Sequence, residues 1–170
     1  GINMNDVQTN TEQLFKEVMG SYPSGVTVVT TVDANNQPVG LTANSFVSVS
    51  IDPLLILWCI DKKSTSYAAF EHSDYFTVNI LAAEQGDACW AFASKKEPDR
   101  FSKCAWELSE NNVPIIKDAF ANLECKKYNV VDAGDHYILI GQVVNIHKAD
   151  KEAMLYYKRN LGAVPESFGK

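Results

Sequence analysis

Three short stretches combine, at close spacing, residue types that can do chemistry. The first is Gly40-Leu41-Thr42-Ala43-Asn44-Ser45-Phe46. Strand alternation puts Gly40, Thr42, Asn44 and Phe46 on one face, which mixes a glycine, a hydroxyl, an amide and an aromatic ring. Glycine and alanine let a planar ligand approach the backbone closely, and Thr42 and Asn44 can hydrogen-bond its heteroatoms. The same pattern also suits an outer strand face that meets only water. The second stretch is Asp61-Lys62-Lys63-Ser64-Thr65-Ser66, after an apolar run. Free N–H groups at a helix start, with hydroxyls and two lysines beside them, form an anion site that suits a phosphate. Ordinary capping with solvated lysines accounts for those residues equally well. The third is Gly134-Asp135-His136, where His136 either points its imidazole into a cleft or serves only a hairpin turn. His72 and His147 have no recognisable partners. Cys59, Cys89, Cys104 and Cys125 lie 30, 15 and 21 positions apart. Without a C-x-x-C pair, no metal site is expected. No nucleophile elbow, Walker loop or G-x-G-x-x-G is present.

Elements must hold these stretches in place. Thr11 as a cap, the stripe Leu14, Phe15, Val18 and Met19, and Gly20 as a stop predict one opening helix. Val26 to Asp33 reads as a strand, Asn35 to Pro38 as a turn, and Val39 to about Ser50 as a second strand. Leu54 to Asp61 is a third, apolar on both faces and so expected at the centre of a sheet. A short helix over Ser64 to Phe70, capped by Ser64 or Thr65, leads to a strand at Tyr75 to Leu81 and a helix at Ala83 to Ala93. Ser94 to Ser102 is a polar loop of the kind that rims a site. Leu123 to Asp132 and Tyr137 to Ile146 read as a hairpin joined through Ala133 to His136. Lys151 to Arg159 predicts a short terminal helix. Short strands at this frequency with few helices argue for an antiparallel barrel with peripheral helices, whereas a doubly wound parallel fold needs a helix between nearly every strand pair.

Composition bounds the function. The 170 residues fit a single domain, here residues 1–170 with a core near 15–147. A net charge of −6 argues against nucleic acid as a partner. The longest uninterrupted apolar run, Leu54 to Ile60, falls far short of the roughly 20 residues that cross a bilayer. The first residues have neither a basic nor an apolar leader region, so no secretory signal is expected in them. Thiols without pairing motifs suit a reducing cytoplasm.

Taken together and in order, these segments resemble the flavin reductase-like family, whose fold is the FMN-binding split barrel. The resemblance begins at Tyr22-Pro23-Ser24-Gly25-Val26-Thr27-Val28-Val29-Thr30-Thr31 and continues through Gly40 to Phe46, Val47 to Ser50 with Pro53, and Lys63 to Ser66. It then takes in Phe76-Thr77-Val78-Asn79-Ile80-Leu81 and ends with Gly134-Asp135-His136 leading to Gly141-Gln142-Val143. It implies that Thr42, Ala43 and Asn44 line the isoalloxazine and ribityl chain with Ser45 beside them. Ser64 and Ser66, with Lys63, would hold the FMN phosphate. Asn79 would lie along the flavin, Arg100-Phe101 would border the site, and His136 would stand near the face that receives the nicotinamide. It further implies a homodimer. Leu155-Tyr156-Tyr157-Lys158-Arg159 resembles a family C-terminal segment, but Asn160-Leu161-Gly162 departs from the usual glycine-rich continuation.

The activity so implied is an oxidoreductase, an NAD(P)H:flavin reductase. It would bind FMN, with FAD or riboflavin as other substrates, take hydride from NADH or NADPH, and supply reduced flavin to a partner monooxygenase or electron acceptor. Hydride transfer asks the protein for position and preorganised electrostatics rather than for a general base. Lys95, Lys96 or Arg100 would meet cofactor phosphates. An FMN-binding electron carrier with little nicotinamide activity is the alternative. A haem or pyridoxal-type ligand in the same barrel is a third.

Overall fold

The structure, a computed structural model, describes residues 4–169. It is built mainly of strands. In chain order the elements are α1 (Met4–Gly20), β1 (Ser24–Gly25), β2 (Thr27–Val32), β3 (Pro38–Ala43), β4 (Val47–Ser50), β5 (Leu55–Asp61), α2 (Tyr67–His72), β6 (Tyr75–Ile80) and α3 (Gly86–Ala93). After a 3-10 turn at Arg100–Lys103 come β7 (Trp106–Leu108), β8 (Pro114–Ile116), β9 (Ala121–Ala133), β10 (His136–Lys148), β11 (Met154–Tyr157) and β12 (Asn160–Ala163). Seven strands form one antiparallel sheet in the order β3-β2-β6-β9-β10-β5-β4. β1, β11 and β12 form a small second sheet, and β7 pairs with β8.

Connectivity forces the large sheet to curl. β3 and β4 lie at its two opposite edges, yet only Asn44, Ser45 and Phe46 separate them in the chain. A flat sheet of seven strands would be about 29 Å across, whereas that connection reaches at most about 14 Å. Its middle residue is fixed to the far side. The Ser45 hydroxyl accepts a hydrogen bond from the Cys59 N–H at 2.8 Å and lies 3.3 Å from the Cys59 carbonyl. β5 is thus flanked on both sides, as its doubly apolar run predicts.

The Val- and Thr-rich β2 feeds two cores at once because successive side chains point to opposite faces. Val29 joins Trp58, Phe70, Phe76 and Leu139 on one side, while Val26 and Val28 join Leu81, Phe92 and Met154 on the other. Gly141 has to be a glycine: a Cβ there would stand 2.6 Å from Phe76 Cζ and 2.8 Å from Cys125 Cβ.

Several expected elements differ. The single strand from Val39 to Ser50 is two strands on opposite edges, because the chain leaves β3 at Asn44. The shared face of Gly40, Thr42, Asn44 and Phe46 therefore stops at Thr42. The terminal helix over Lys151 to Arg159 is instead the β11–β12 hairpin, turning at Lys158 and Arg159, whose φ angles are 51° and 65°. α2 begins at Tyr67 rather than Ser64, and α3 at Gly86 rather than Ala83. α1 starts well before Thr11, whose hydroxyl bonds back to the Val7 carbonyl at 2.9 Å instead of capping. Among the described residues no helix is long and apolar enough to cross a membrane.

Candidate functional site

β3 sits against α3, and that contact decides where its polar groups go. The Thr42 hydroxyl donates to the Cys89 carbonyl of α3 at 2.7 Å. A Cβ on Gly40 would lie 2.9 Å from Phe92 and 3.2 Å from Phe101, so this glycine serves close packing of strand, helix and loop. The Ala43 carbonyl accepts the Thr27 hydroxyl at 2.7 Å. Asn44 follows, exposed and beyond the strand, and Ser45 ties the crossing to β5.

The turn between β5 and α2 brings its functional groups to the surface. Lys63 N–H donates to Asp61 Oδ1 at 2.7 Å, and Ser66 N–H to Ser64 Oγ at 3.2 Å. Ser66 precedes α2 without a side-chain cap bond. Thr65 and Ser66 line a groove of about 410 Å³ together with Val39 and Gly40 of β3 and with Lys95 and Glu97 to Phe101 of the loop, its far wall in sequence. The polar loop thus borders a groove.

Arg100 fixes that far wall. Its guanidinium donates to the Gly40 carbonyl at 2.8 Å and the Ser94 carbonyl at 2.9 Å, closing the loop at its base. Phe101 packs edge-on against Phe92 and Trp106, with ring centres 4.9 and 5.3 Å away. Burial lowers the Arg100 pKa, with the Glu97 charge opposing. Among the described residues neither Arg100 nor Lys95 has a carboxylate within ion-pair distance. A partly desolvated cation whose acidic neighbour, Glu97, lies beyond ion-pair distance is one that an added anion stabilises.

His136 lies at the tip of the β9–β10 hairpin, opposite Asp61 of β5. Its Nδ1 is 2.7 Å from Asp135 Oδ1. Hydrogen bonding from His136 and then its charge hold the Asp135 carboxyl below the ordinary range. Lys62 N–H donates to the Asp135 carbonyl at 3.0 Å, so the hairpin tip is tied to the turn that carries Lys63, Ser64 and Ser66. Behind them Tyr67 and Tyr137 stack at 4.4 Å, with the Lys62 ammonium 5.1 Å from the Tyr137 ring. A wider groove of about 740 Å³ separates Asp135 from α1.

Asn79 is elsewhere in function. It is fully buried, and its amide donates to the Val28 carbonyl and Thr30 Oγ1 while its oxygen accepts from Ile116 N–H and Asn122. Those four bonds clamp β2, β6, β8 and β9 together and leave nothing for a ligand. The structure therefore brings Ser66 and Arg100 to one groove, ties Lys63, Ser64 and His136 into one neighbouring turn system, and keeps Asn79 apart. Thr65, Gln37 and Asp99 also line the groove. Turn-rich surroundings marked Gln37 and Asp99 as loop residues and Thr65 was read as a helix cap, but composition does not say which of these segments meet.

The chain is 46% identical over 144 residues to the reductase component of a flavin-dependent trigonelline monooxygenase from Acinetobacter baylyi, covering 85% of this chain but 46% of that protein. It is 40% identical over 151 residues to a flavin reductase of Pseudomonas putida, covering 88% of each. The chain thus spans about half the length of the first relative and nearly all of the second. The crystal structure of a homolog of nitrilotriacetate monooxygenase component B from Mycobacterium thermoresistibile superposes with a TM-score of 0.88 at 32% identity, covering 96% of this chain and 92% of that one. Residues 19–165 match the flavin reductase like domain, and the chain belongs to that family.

Proposed function

We propose that the chain is an NAD(P)H:flavin oxidoreductase that binds FMN and supplies reduced flavin to a partner monooxygenase. The family match over residues 19–165 carries this reading, and the names of its relatives, a flavin reductase and a monooxygenase reductase component, point the same way. The groups present fit the ligand. Ser64, Ser66 and Lys63 offer hydroxyls and a cation for the phosphate, and the Asn44–Ser45 crossing offers backbone and amide donors off the strand ladder for the ring.

Flavin and nicotinamide supply the atoms between which hydride passes. The chain's own work is positional. Ser45, fixed on Cys59, holds the crossing rigid, so its N–H groups meet developing negative charge without reorganising. Asp135 holds the His136 ring, which would contact the nicotinamide. Arg100 holds Phe101 against β3 at the rim. The curled sheet supports a split barrel, the exposed stripe on α1 supports a homodimer, and four free thiols suit the cytoplasm.

Oxidation of NADH and NADPH measured with and without added FMN tests the activity. Turnover that requires flavin is expected. Protein that stays colourless with FMN and oxidises neither donor would remove the proposal. Ser64→Ala together with Ser66→Ala should weaken FMN binding, each lost charge-assisted hydrogen bond being worth about 1.5–3 kcal/mol. An unchanged dissociation constant would take those serines out of the phosphate site.

A further inference from the structure

Lys62 and Lys63 are neighbours in the chain but do different work. Lys63 is exposed and, among the described residues, has no carboxylate within ion-pair distance, so its ammonium is open to a phosphate. The Lys62 ammonium is turned instead to the β9–β10 hairpin, where it meets Asp132 Oδ1 at 2.7 Å and lies 5.1 Å from the Tyr137 ring. The backbone of the same residue also reaches the hairpin, donating from its N–H to the Asp135 carbonyl at 3.0 Å. One residue of the turn therefore holds the hairpin at two points, one on β9 and one in its loop.

That hold joins two segments to which different ligands are assigned. His136 and Asp61 are the last pair of the β10–β5 ladder. Asp61 opens the Lys63–Ser66 turn by accepting the Lys63 N–H at 2.7 Å, and His136 carries Asp135 on its Nδ1 at 2.7 Å. Past that pair, Lys62 continues the connection between turn and hairpin. The Tyr67–Tyr137 stack supports it, with ring centres 4.4 Å apart and planes 17° from parallel. The Asp132 side chain is 71% exposed, and an ion pair so open to water adds little to folding stability. Its consequence here is positional.

We propose that Lys62 is a positioning residue that couples the flavin phosphate to the nicotinamide: a phosphate that fixes the Lys63–Ser66 turn also fixes His136, through the hold of Lys62 on Asp132 and Asp135. The inference rests on the flavin reading above, with Lys63, Ser64 and Ser66 at the phosphate and His136 at the nicotinamide. Its physical basis is ordering entropy. The first ligand immobilises turn and hairpin together, and the second then meets a segment already held. Such coupling is reciprocal and typically changes affinity by about 5- to 150-fold. Riboflavin has the ring of FMN without the phosphate, so it leaves the turn unloaded and gives no such gain.

Calorimetric titration of the full chain with NAD+ and with NADP+, each in saturating FMN or saturating riboflavin, tests it. The better-bound nicotinamide should bind about fivefold or more tighter with FMN than with riboflavin. Asp132→Ala leaves both lysines in place and should bring that ratio to about one, with FMN affinity and far-ultraviolet circular dichroism retained. Lys62→Arg, which can still pair with Asp132, should keep the ratio. FMN that binds yet gives no advantage over riboflavin in the unmodified chain would overturn the coupling and leave the flavin reading intact. An unchanged ratio in Asp132→Ala would overturn it too. So would a loss of nicotinamide affinity equal with both flavins, which would make the hold of Lys62 structural only. Failure of FMN to bind would sink the flavin reading, and the coupling with it.

Discussion

Asn79, given a place along the flavin by resemblance alone, shows at the scale of single side chains how internal bonding competes with a binding role. All of its bonding capacity closes on the protein. Asn79→Ala would orphan the buried Ile116 N–H and remove bonds from Thr30 and Asn122, costing about 3 kcal/mol or more. A lower denaturant midpoint with unchanged flavin affinity is the expected result. Lost affinity at full stability would return Asn79 to the site. Cys125 is the second informative residue. Burial, helped by the Glu124 charge, pushes its thiol from 9.0 up to about 12. Below pH 9 the thiol is protonated in both states and the full stability is present. Between pH 9 and 12 the unfolded chain has lost the proton while the folded chain keeps it, so stability falls by about 1.4 kcal/mol per pH unit. Urea unfolding at a series of alkaline pH values should show this slope, shallower in Cys125→Ala. Equal slopes in the two proteins would mean that the folded thiol titrates like a free one.

At the scale of elements, what the sequence revealed depended on whether local pattern and long-range pairing agreed. The β9–β10 hairpin was legible because Gly134, at φ 69°, marks a turn between two long strand-forming runs, even though bulges at Ile140/Gly141 and Val143/Asn145 interrupt their pairing. The break between β3 and β4 was not, since Val47-Ser48-Val49-Ser50 continues the alternation begun at Val39 while the chain changes edges of the sheet. Likewise the groove joins three turns, each readable alone, through contacts that no local pattern encodes. The C-terminal hairpin was hidden for a different reason. Lys158 and Arg159 occupy left-handed positions that a two-residue turn normally gives to asparagine or glycine. That conformation costs a non-glycine residue about 1–2 kcal/mol, partly offset in a glycine variant by about 0.5–1 kcal/mol of extra unfolded-state entropy. Arg159→Gly should therefore raise the melting temperature, by about 2–4 °C for each kcal/mol gained. A lower melting temperature would show that the exposed Arg159 side chain makes a contribution larger than the backbone strain.

At the scale of the whole molecule, apolar surface stays uncovered on α1 and at the β4 edge. Leu14, Phe15, Val18 and Met19 form the apolar stripe of α1, yet they are 60%, 65%, 58% and 48% exposed. A helix of this length gains little stability in water unless its apolar face packs against something. Among the described residues, the charged side of α1 adds only the exposed Lys16–Glu12 pair, worth about 0.3–0.5 kcal/mol. The edge strand β4 adds Val47, Val49 and, just beyond it, Ile51 at 84% exposure. A second copy of the chain would bury such surface, which is the physical ground for proposing a homodimer. Sedimentation velocity should give a dimer for the unmodified chain. Leu14→Glu with Val18→Glu should shift it to monomer, while circular dichroism keeps the strand signal of the body. A monomeric unmodified chain would end the dimer proposal, and a variant that stays dimeric would move the interface away from α1.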